Sequence, residues 1–242
     1  MTDHWLRGAM FDLDGTLLDR EPLVMQGILR ACAAAGLDLT TEEASCALGR
    51  AWQDVHASLD VEHRLGWTLH DFIDEVFVHA EAIAAEGGGP RVLPGARELV
   101  LAIRDAGIPV ALVTGSRHSE VTPALEQLDL VGVFDELVAA DDYENGKPSP
   151  EPYLLGAHRL GVRPQDCVAF EDSWVGVTSA LAAGCAVVAA DAANFPEGHP
   201  ARQDLDHASW RVPSLAHVTV TLLRERLAPG GPGAGGVSGV GR

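Results

Sequence analysis

Two carboxylates follow an apolar run near the start of the chain. Residues 12–16 read Asp-Leu-Asp-Gly-Thr and come directly after Ala9-Met10-Phe11. Side chains alternate along a strand, so Asp12 and Asp14 are expected to point the same way at a strand end. Two like charges this close are costly unless one is protonated or a cation lies between them. The pair is therefore suited to proton transfer or cation binding, although Asp-Gly alone is also a common turn.

A predicted loop and two further strand ends carry polar residues suited to the same chemistry, namely Thr114, Gly115, Ser116, Lys147, Glu171 and Asp172. The ligand site of a doubly wound sheet lies at the carboxyl ends of its strands, so we expect these residues to converge with the first two carboxylates. Four carboxylates at one point favour Mg²⁺, whereas hydroxyls and backbone N–H groups favour an anion. The plainer alternatives are capping of a helix by Ser116 and a solvated position for Lys147, the only lysine in the chain.

The elements that position these residues are short apolar strands separated by helical patterns. The predicted strands cover residues 7–11, 109–114, 136–139, 167–170 and 186–190. The predicted helices cover residues 96–106, 119–128, 151–160 and 175–183. Strands that alternate with helices are typical of right-handed βαβ units. The sequence therefore predicts an α/β fold with a doubly wound parallel sheet of the Rossmann-like type.

Between residues 17 and 91 the pattern is helical only. Helical periodicity covers residues 22–35 and 69–85, and residues 40–43 (Thr-Thr-Glu-Glu) have the capping-box pattern. We predict a Rossmann-like core of residues 1–16 and 92–228, a helical cap of residues 17–91, and a Gly-rich disordered tail of residues 229–242. The two connections of the cap are candidate hinges, and the cap would act as a lid over the strand ends.

The composition excludes several classes of function. The net charge is −18, and the chain has no lysine- or arginine-rich run. Binding to nucleic acid or to an anionic membrane surface is therefore not expected, because both need clustered cations. The four cysteines lack metal-ligand spacing, and the chain shows neither a signal peptide nor an apolar stretch of membrane-spanning length. We expect a cytoplasmic protein, either a monomer or a homodimer.

Taken together, the motifs resemble those of the haloacid dehalogenase-like (HAD) superfamily of hydrolases. The resemblance is to the branch with a helical (C1) cap, which includes sugar phosphatases and β-phosphoglucomutase-like proteins. The matching positions are residues 12–16, Thr114, residues 146–153 (Gly-Lys-Pro-Ser-Pro-Glu-Pro-Tyr) and residues 171–176 (Glu-Asp-Ser-Trp-Val-Gly). Four motifs in this order, each at a predicted strand end or the next loop, are far more specific than any one alone.

The resemblance implies a Mg²⁺-dependent phosphatase that acts on small phosphate esters such as sugar or polyol phosphates. Asp12 would be the nucleophile and form an aspartyl-phosphate. Asp14 would be the general acid for the leaving alcohol and then the base for water. The phosphoryl group would be bound by Thr114, Gly115, Ser116 and Lys147. The metal would be held by Asp12, the backbone carbonyl of Asp14, and Asp172, with Glu171 as a direct or indirect partner.

The predicted cap contains the segment that would select the substrate. Residues 48–54 (Leu-Gly-Arg-Ala-Trp-Gln-Asp) resemble the specificity loop of this branch. Arg50 could bind a second anionic or hydroxylated group and Trp52 could stack on a sugar, but a solvated arginine and a cap-core tryptophan are equally compatible with the pattern.

Two other functions remain alternatives. The mutases of this family carry a histidine where this chain has Val24, which weakens the hypothesis of a hexose-phosphate mutase. A phospho-acceptor signalling domain also places acidic residues, a threonine and a lysine on a parallel sheet. The Gly-Thr turn after Asp14 and the helical insertion argue against that alternative.

Overall fold

The structure is a computed structural model of the 242-residue chain, and it describes residues 5–45, 52–87, 89–199 and 202–227. The chain divides into two compact units. The α/β unit comprises Met1–Leu18, Val92–Phe195 and Gln203–Arg242, and the helical unit comprises Asp19–Arg91 and Pro196–Arg202. No helix within the described ranges is both long enough and apolar enough to cross a membrane.

The α/β unit is built on a six-stranded parallel sheet. The strands of the described chain are β1 (Gly8–Phe11), β2 (Leu18–Asp19), β3 (Arg91–Val92), β4 (Val110–Val113), β5 (Glu136–Val138), β6 (Cys167–Glu171), β7 (Ala186–Ala190) and β8 (Trp210–Val212). The order in the large sheet is β5-β4-β1-β6-β7-β8, and β2 pairs separately with β3. In register, Phe11 of β1 lies opposite Leu112 on one side and Phe170 on the other. Strand β1 is therefore central, and the strands on both sides end beside it.

The helices divide between the two units. Those of the helical unit are α1 (Glu21–Ala34), α2 (Thr41–Ser45), α3 (Trp52–Ser58), α4 (Val61–Leu65) and α5 (Leu69–Ala85). Those of the α/β unit are α6 (Ala96–Asp105), α7 (His118–Gln127), α8 (Glu151–Arg159), α9 (Trp174–Ala183) and α10 (Val220–Arg226). Helices α7, α8 and α9 each connect one parallel strand to the next. The predicted α/β fold with a doubly wound parallel sheet is confirmed.

Alternation of side chains along the strands produces two apolar layers, one on each face of the sheet. Phe11 and Phe170 belong to the layer that also contains residues of α6 and α7. Met10 and Ala169 belong to the opposite layer, which contains residues of α8 and α9. Both faces are covered, which explains why these strands are apolar throughout. Polar side chains are consequently placed at the strand ends.

The helical unit has a core of its own. Its buried residues are Ile28, Ala31, Cys32, Ala44, Val55, Leu59, Val61, Phe72 and Val76. The predicted capping box at residues 40–43 is confirmed at the start of α2. The N–H of Thr40 donates to Glu43 Oε2 at 2.8 Å, and the N–H of Glu43 donates to Thr40 Oγ1 at 3.2 Å. Each side chain thus satisfies a backbone donor that the helix leaves unpaired.

Short elements at the edges account for what the sequence pattern missed. Strand β8 has three residues and its central Arg211 binds Asp191 and Asp206, so it gives no apolar run. Helices α3, α4 and α10 have seven, five and seven residues, too few to establish a period. The placement of residues 17–91 as a lid stays a prediction, and residues 229–242 lie outside the described part of the chain.

Candidate active site

Three neighbouring strands end in the polar residues that the sequence singles out. Asp12 follows β1, Thr114 follows β4, and Glu171 is the last residue of β6. Strand β1 lies between the other two, and a parallel sheet brings all three carboxyl ends to one edge. Lys147 reaches the same edge from the loop between β5 and α8.

Lys147 forms hydrogen bonds to residues at the carboxyl ends of three strands, β1, β4 and β6. Its Nζ donates to Asp12 Oδ1 at 2.5 Å, to Glu171 Oε1 at 2.6 Å and to the carbonyl oxygen of Val113 at 3.1 Å. An ammonium has three donors, so these acceptors use all of them. The side chain of Lys147 is only 10% exposed. The lysine is therefore held inside an acidic cluster formed by Asp12, Glu171 and Asp172, and the alternative of a solvated loop residue is wrong.

Glu171 is fully buried and accepts four hydrogen bonds. Its Oε1 accepts from Lys147 and from the hydroxyl of Tyr153, each at 2.6 Å. Its Oε2 accepts from the N–H of Asp172 and the hydroxyl of Ser173, each at 3.2 Å. A buried carboxylate needs such donors to stay charged. The four contacts favour Glu171 as the partner of Lys147 over a role as a direct metal ligand.

Two glycines allow the carboxylates to pack this closely. Gly15 has φ +85°, and a Cβ there would lie 1.9 Å from Asp172 Oδ2. A Cβ on Gly176, in the first turn of α9, would lie 2.0 Å from the carboxylate of Glu171. Any larger residue at either position would displace an acidic side chain of the cluster.

The cluster holds more negative charge than one ammonium offsets. Burial raises the pKa of Asp12 to about 7, although Lys147 acts in the opposite direction. Burial and the neighbouring Asp12 also raise the pKa of Asp172 well above its usual range. Burial tends to lower the pKa of Lys147, but the Asp12 and Glu171 carboxylates raise it overall. Oxygens of Asp12, Glu171 and Asp172 lie within 4.8 Å of one another, so the cluster could bind a metal ion, and hard oxygen donors suit Mg²⁺.

Ser116, in the loop after β4, forms a hydrogen bond with Asp14, the second carboxylate of the first motif. The hydroxyl of Ser116 donates to Asp14 Oδ2 at 2.9 Å. The N–H of Ser116 donates to Thr114 Oγ1 at 3.0 Å, and Gly115 lies between the two residues. Thr114 is 1% exposed. The structure therefore joins Thr114 and Ser116 to each other and Ser116 to Asp14, while phosphate binding by this loop stays a prediction.

The alternative that Ser116 caps the following helix is wrong. Helix α7 begins at His118. Arg117 is the residue before the first turn, and its N–H donates to the carboxylate of Glu120 at 2.7 Å. The residue that directly precedes the helix is therefore not Ser116, whose hydroxyl binds Asp14 instead.

Two tyrosines with no role predicted from the sequence support the site. The hydroxyl of Tyr143 donates to the carbonyl oxygen of Thr114 at 3.0 Å, and Tyr153 binds Glu171. Tyr153 lies on the buried face of α8 together with Pro152, Gly156 and Ala157. A phenol in an otherwise small and apolar buried face is the signal that could have identified it, because a buried hydroxyl needs a partner.

Of the two residues predicted to contact substrate, Trp52 packs against the core of the helical unit. The ring of Trp52 packs against Phe72 at 6.0 Å and Phe77 at 5.7 Å between centroids. Arg50 lies outside the described residues. Stacking of Trp52 on a sugar therefore stays a prediction, and the contacts of the ring favour its alternative as part of the cap core.

The chain is similar in sequence to two phosphatases. Hexitol phosphatase A of Escherichia coli (strain K12) is 36% identical over 216 residues, which cover 89% of this chain and 94% of that protein. A phosphorylated carbohydrates phosphatase of Thermotoga maritima is 32% identical over 179 residues, covering 74% of this chain and 82% of that protein.

The fold is also found among solved structures. The crystal structure of a HAD family hydrolase from Deinococcus radiodurans R1, with bound phosphate and sodium, matches with a TM-score of 0.70 and 27% identity. The match covers 93% of this chain and 98% of that one. Residues 6–184 match the haloacid dehalogenase-like hydrolase family, and the chain belongs to that family.

Proposed function

We propose that this protein is a Mg²⁺-dependent phosphatase that hydrolyses small phosphorylated metabolites, with sugar and polyol phosphates as its substrate class. The observation that carries the proposal is the hydrogen bond of 2.5 Å between Lys147 and the Asp12 carboxylate, inside the buried acidic cluster. Such a site suits a phosphoryl group, because its charge needs both a nucleophile and cations. The substrate class is supported by the two phosphatases named above.

In the first step, an oxygen of the Asp12 carboxylate attacks the phosphorus of the ester. The bond between phosphorus and the leaving alcohol oxygen breaks, and that oxygen takes a proton from Asp14. The hydrogen bond from Ser116 at 2.9 Å holds the Asp14 carboxyl in one orientation. The product on the protein is an aspartyl-phosphate at residue 12.

In the second step, Asp14 takes a proton from a water molecule as the water oxygen attacks phosphorus. The bond between phosphorus and Asp12 breaks, inorganic phosphate leaves, and the Asp12 carboxylate is restored. One residue thus serves as acid and then as base, and each step starts with Asp14 in the state that the previous one left.

The remaining groups bind and orient the phosphoryl oxygens. Lys147 contributes the fixed positive charge, and Thr114 with its loop contributes a hydroxyl and backbone N–H groups. Asp12, Asp172 and the backbone carbonyl of Asp14 would hold Mg²⁺. The bound ion would reduce the repulsion between the Asp12 carboxylate and the phosphate dianion. Glu171 keeps Lys147 charged and in place.

A hydrolase is favoured over a mutase by one position in the helical unit. Val24, where the family's mutases carry a histidine, packs against the apolar core of that unit. The position therefore contributes to packing.

Cys32, Cys167 and Cys185 are buried free thiols, which supports the reducing cytoplasm as the place of the reaction.

The direct test is phosphate release from p-nitrophenyl phosphate by the wild-type protein and by Asp12→Asn. We expect turnover that depends on Mg²⁺ and that EDTA abolishes, with no turnover by the variant. A panel of hexitol phosphates, sugar phosphates and phosphoglycolate then ranks the substrates. Wild-type rates in the Asp12→Asn variant contradict the proposed nucleophile. Isomer interconversion of a sugar monophosphate, without phosphate release, favours the mutase.

Arg50 is the predicted residue for substrate preference. Arg50→Ala is expected to change the ranking of phosphorylated sugars more than the rate on p-nitrophenyl phosphate, because the latter lacks hydroxyl groups. Arg30→Ala is a suitable control, since Arg30 forms an exposed pair with Glu86 at 2.8 Å. Equal losses on all substrates would assign Arg50 a structural role.

A further inference from the structure

The buried hydroxyl of Tyr153 takes no part in the two chemical steps, yet it contacts the carboxylate that holds Lys147. Tyr153 is 0% exposed. Its hydroxyl donates to Glu171 Oε1 at 2.6 Å, and the same oxygen accepts from Lys147 Nζ at 2.6 Å. The ring also lies near the ammonium, with Nζ 5.1 Å from its centroid.

The sharing of one oxygen by two donors has an electrostatic consequence. Glu171 is 0% exposed, so its charge is stabilised only by the donors around it. Two donors serve each carboxylate oxygen. If the hydroxyl were absent, Lys147 would be the only donor left on Oε1, and the carboxylate would attract the ammonium more strongly.

A stronger attraction of the Lys147 ammonium to Glu171 would weaken its interactions with Asp12 and with a bound phosphoryl group. Lys147 Nζ lies between Glu171 and Asp12, at 2.6 Å and 2.5 Å. An incoming phosphoryl oxygen must compete with those carboxylates for the same N–H donors. The strength of the contact with Glu171 therefore sets how readily Lys147 binds phosphate.

We propose that Tyr153 is a positioning residue whose hydroxyl satisfies part of the charge on Glu171 and so leaves Lys147 available to the phosphoryl group. The inference rests on the proposed function, in which Lys147 binds phosphoryl oxygens. Tyr153 acts through Glu171 and touches no reacting atom. Its hydroxyl thus affects phosphate binding more than the chemical steps.

The test is the substitution Tyr153→Phe, which keeps the ring and removes the hydroxyl. Inorganic phosphate is titrated into the protein with MgCl2 by calorimetry, and steady-state rates are measured with p-nitrophenyl phosphate. We expect the dissociation constant of phosphate and the KM to rise about tenfold, as for loss of one hydrogen bond to a charged group, with a smaller change in kcat. An unchanged dissociation constant in the folded variant overturns the proposal, even if Tm falls.

A second variant tests whether Tyr153 acts through Glu171. Glu171→Gln removes the charge, so adding Tyr153→Phe in that background should change phosphate binding less than about twofold. A tenfold change in both backgrounds overturns the proposed route. If Tyr153→Phe fails to fold alone, a tenfold change between Glu171→Gln and the double variant still overturns the proposed route.

The binding measurement also separates this inference from the proposed function. A wild-type protein that binds phosphate but hydrolyses no ester contradicts the proposed function. The effect of Tyr153→Phe on phosphate binding is then still decisive for the positioning role. A wild-type protein that neither binds phosphate nor hydrolyses the ester overturns both.

Discussion

Strand β6 has an acidic side chain at each end, and each is paired with a cation. Asp166, just before the strand, binds Arg163 at 2.8 Å, and the arginine and aspartate side chains are 77% and 11% exposed. Glu171, the last residue of the strand, binds Lys147 at 2.6 Å, and these side chains are 0% and 10% exposed. The hydrogen bond from Arg163 lowers the pKa of Asp166, whereas burial at the other end raises the pKa of Asp12 and Asp172.

The difference shows that the surroundings of an ion pair decide its role. Water screens the Arg163 pair, which joins two residues of one turn and contributes little to stability. Lys147 and Glu171 come from different parts of the chain and are removed from water, so neither tolerates the loss of its partner. Because water screens the buried pair less, its charges act more strongly on a bound anion.

The largest effect on turnover and stability is expected for Lys147→Ala, which removes the cation of the buried pair. The substitution leaves Asp12 and Glu171 as buried carboxylates without their shared cation. We expect turnover to fall at least ~1000-fold and the free energy of unfolding to fall by about 3–5 kcal/mol. Hydrolysis of p-nitrophenyl phosphate and urea unfolding measure the two effects. A variant with near wild-type turnover contradicts the role of the lysine.

Two glycine substitutions compare the effect of a new Cβ at the carboxyl end of the sheet with its effect at the amino end. Gly176→Ala places a Cβ 2.0 Å from the Glu171 carboxylate, and we expect it to reduce both turnover and stability, the latter by about 1–3 kcal/mol. Gly8→Ala, at the amino end, meets the Cys167 and Val162 side chains at 3.0 Å. It should reduce stability without lowering kcat. A fall in kcat for Gly8→Ala would mean that strain spreads along the sheet.

The raised pKa of Asp12 predicts how the stability of the metal-free protein depends on pH. Its pKa rises from 3.8 to about 7 on folding, so the folded state holds the proton more tightly than the unfolded state. Stability should therefore fall as pH rises between these values and level off above them. Thermal unfolding with EDTA should show a lower Tm at about pH 8 than at about pH 5, and Mg²⁺ should raise Tm more at the higher pH. Asp12→Asn should weaken this dependence, and an equal dependence in the variant contradicts the assignment.

The smallest effect on turnover is expected at the pair of Arg163 and Asp166. Arg163→Ala removes a guanidinium that is mostly in water but leaves the Asp166 side chain, 11% exposed, without this partner, so kcat and KM should remain those of the wild type while Tm falls slightly. A clear loss of turnover would show that the two ends of β6 are coupled. That result would mean that the Arg163 pair, like the Lys147 pair, contributes to turnover.

The sequence predicted the sheet and the convergence of Asp12, Thr114 and Glu171 at one edge of it, because both have strong local signals. Continuous apolar strands with Asp12, Thr114 and Glu171 at their ends indicate a parallel sheet and the edge at which its ligand binds. The contacts of Tyr153 and Ser116 were not predictable in the same way. Each depends on a hydrogen bond between residues distant in sequence, Tyr153 with Glu171 and Ser116 with Asp14. Periodicity gives no information on such pairs.

The role of Asp12 is tested most directly by trapping the covalent intermediate. The Asp14→Asn variant should react once with p-nitrophenyl phosphate, whose leaving group needs no acid, and then stall because no base activates water. After an acid quench, mass spectrometry should find the phosphoryl group on the peptide that contains Asp12, with a matching burst of p-nitrophenol. A burst with the phosphoryl group on another residue, or with none on Asp12, contradicts the account.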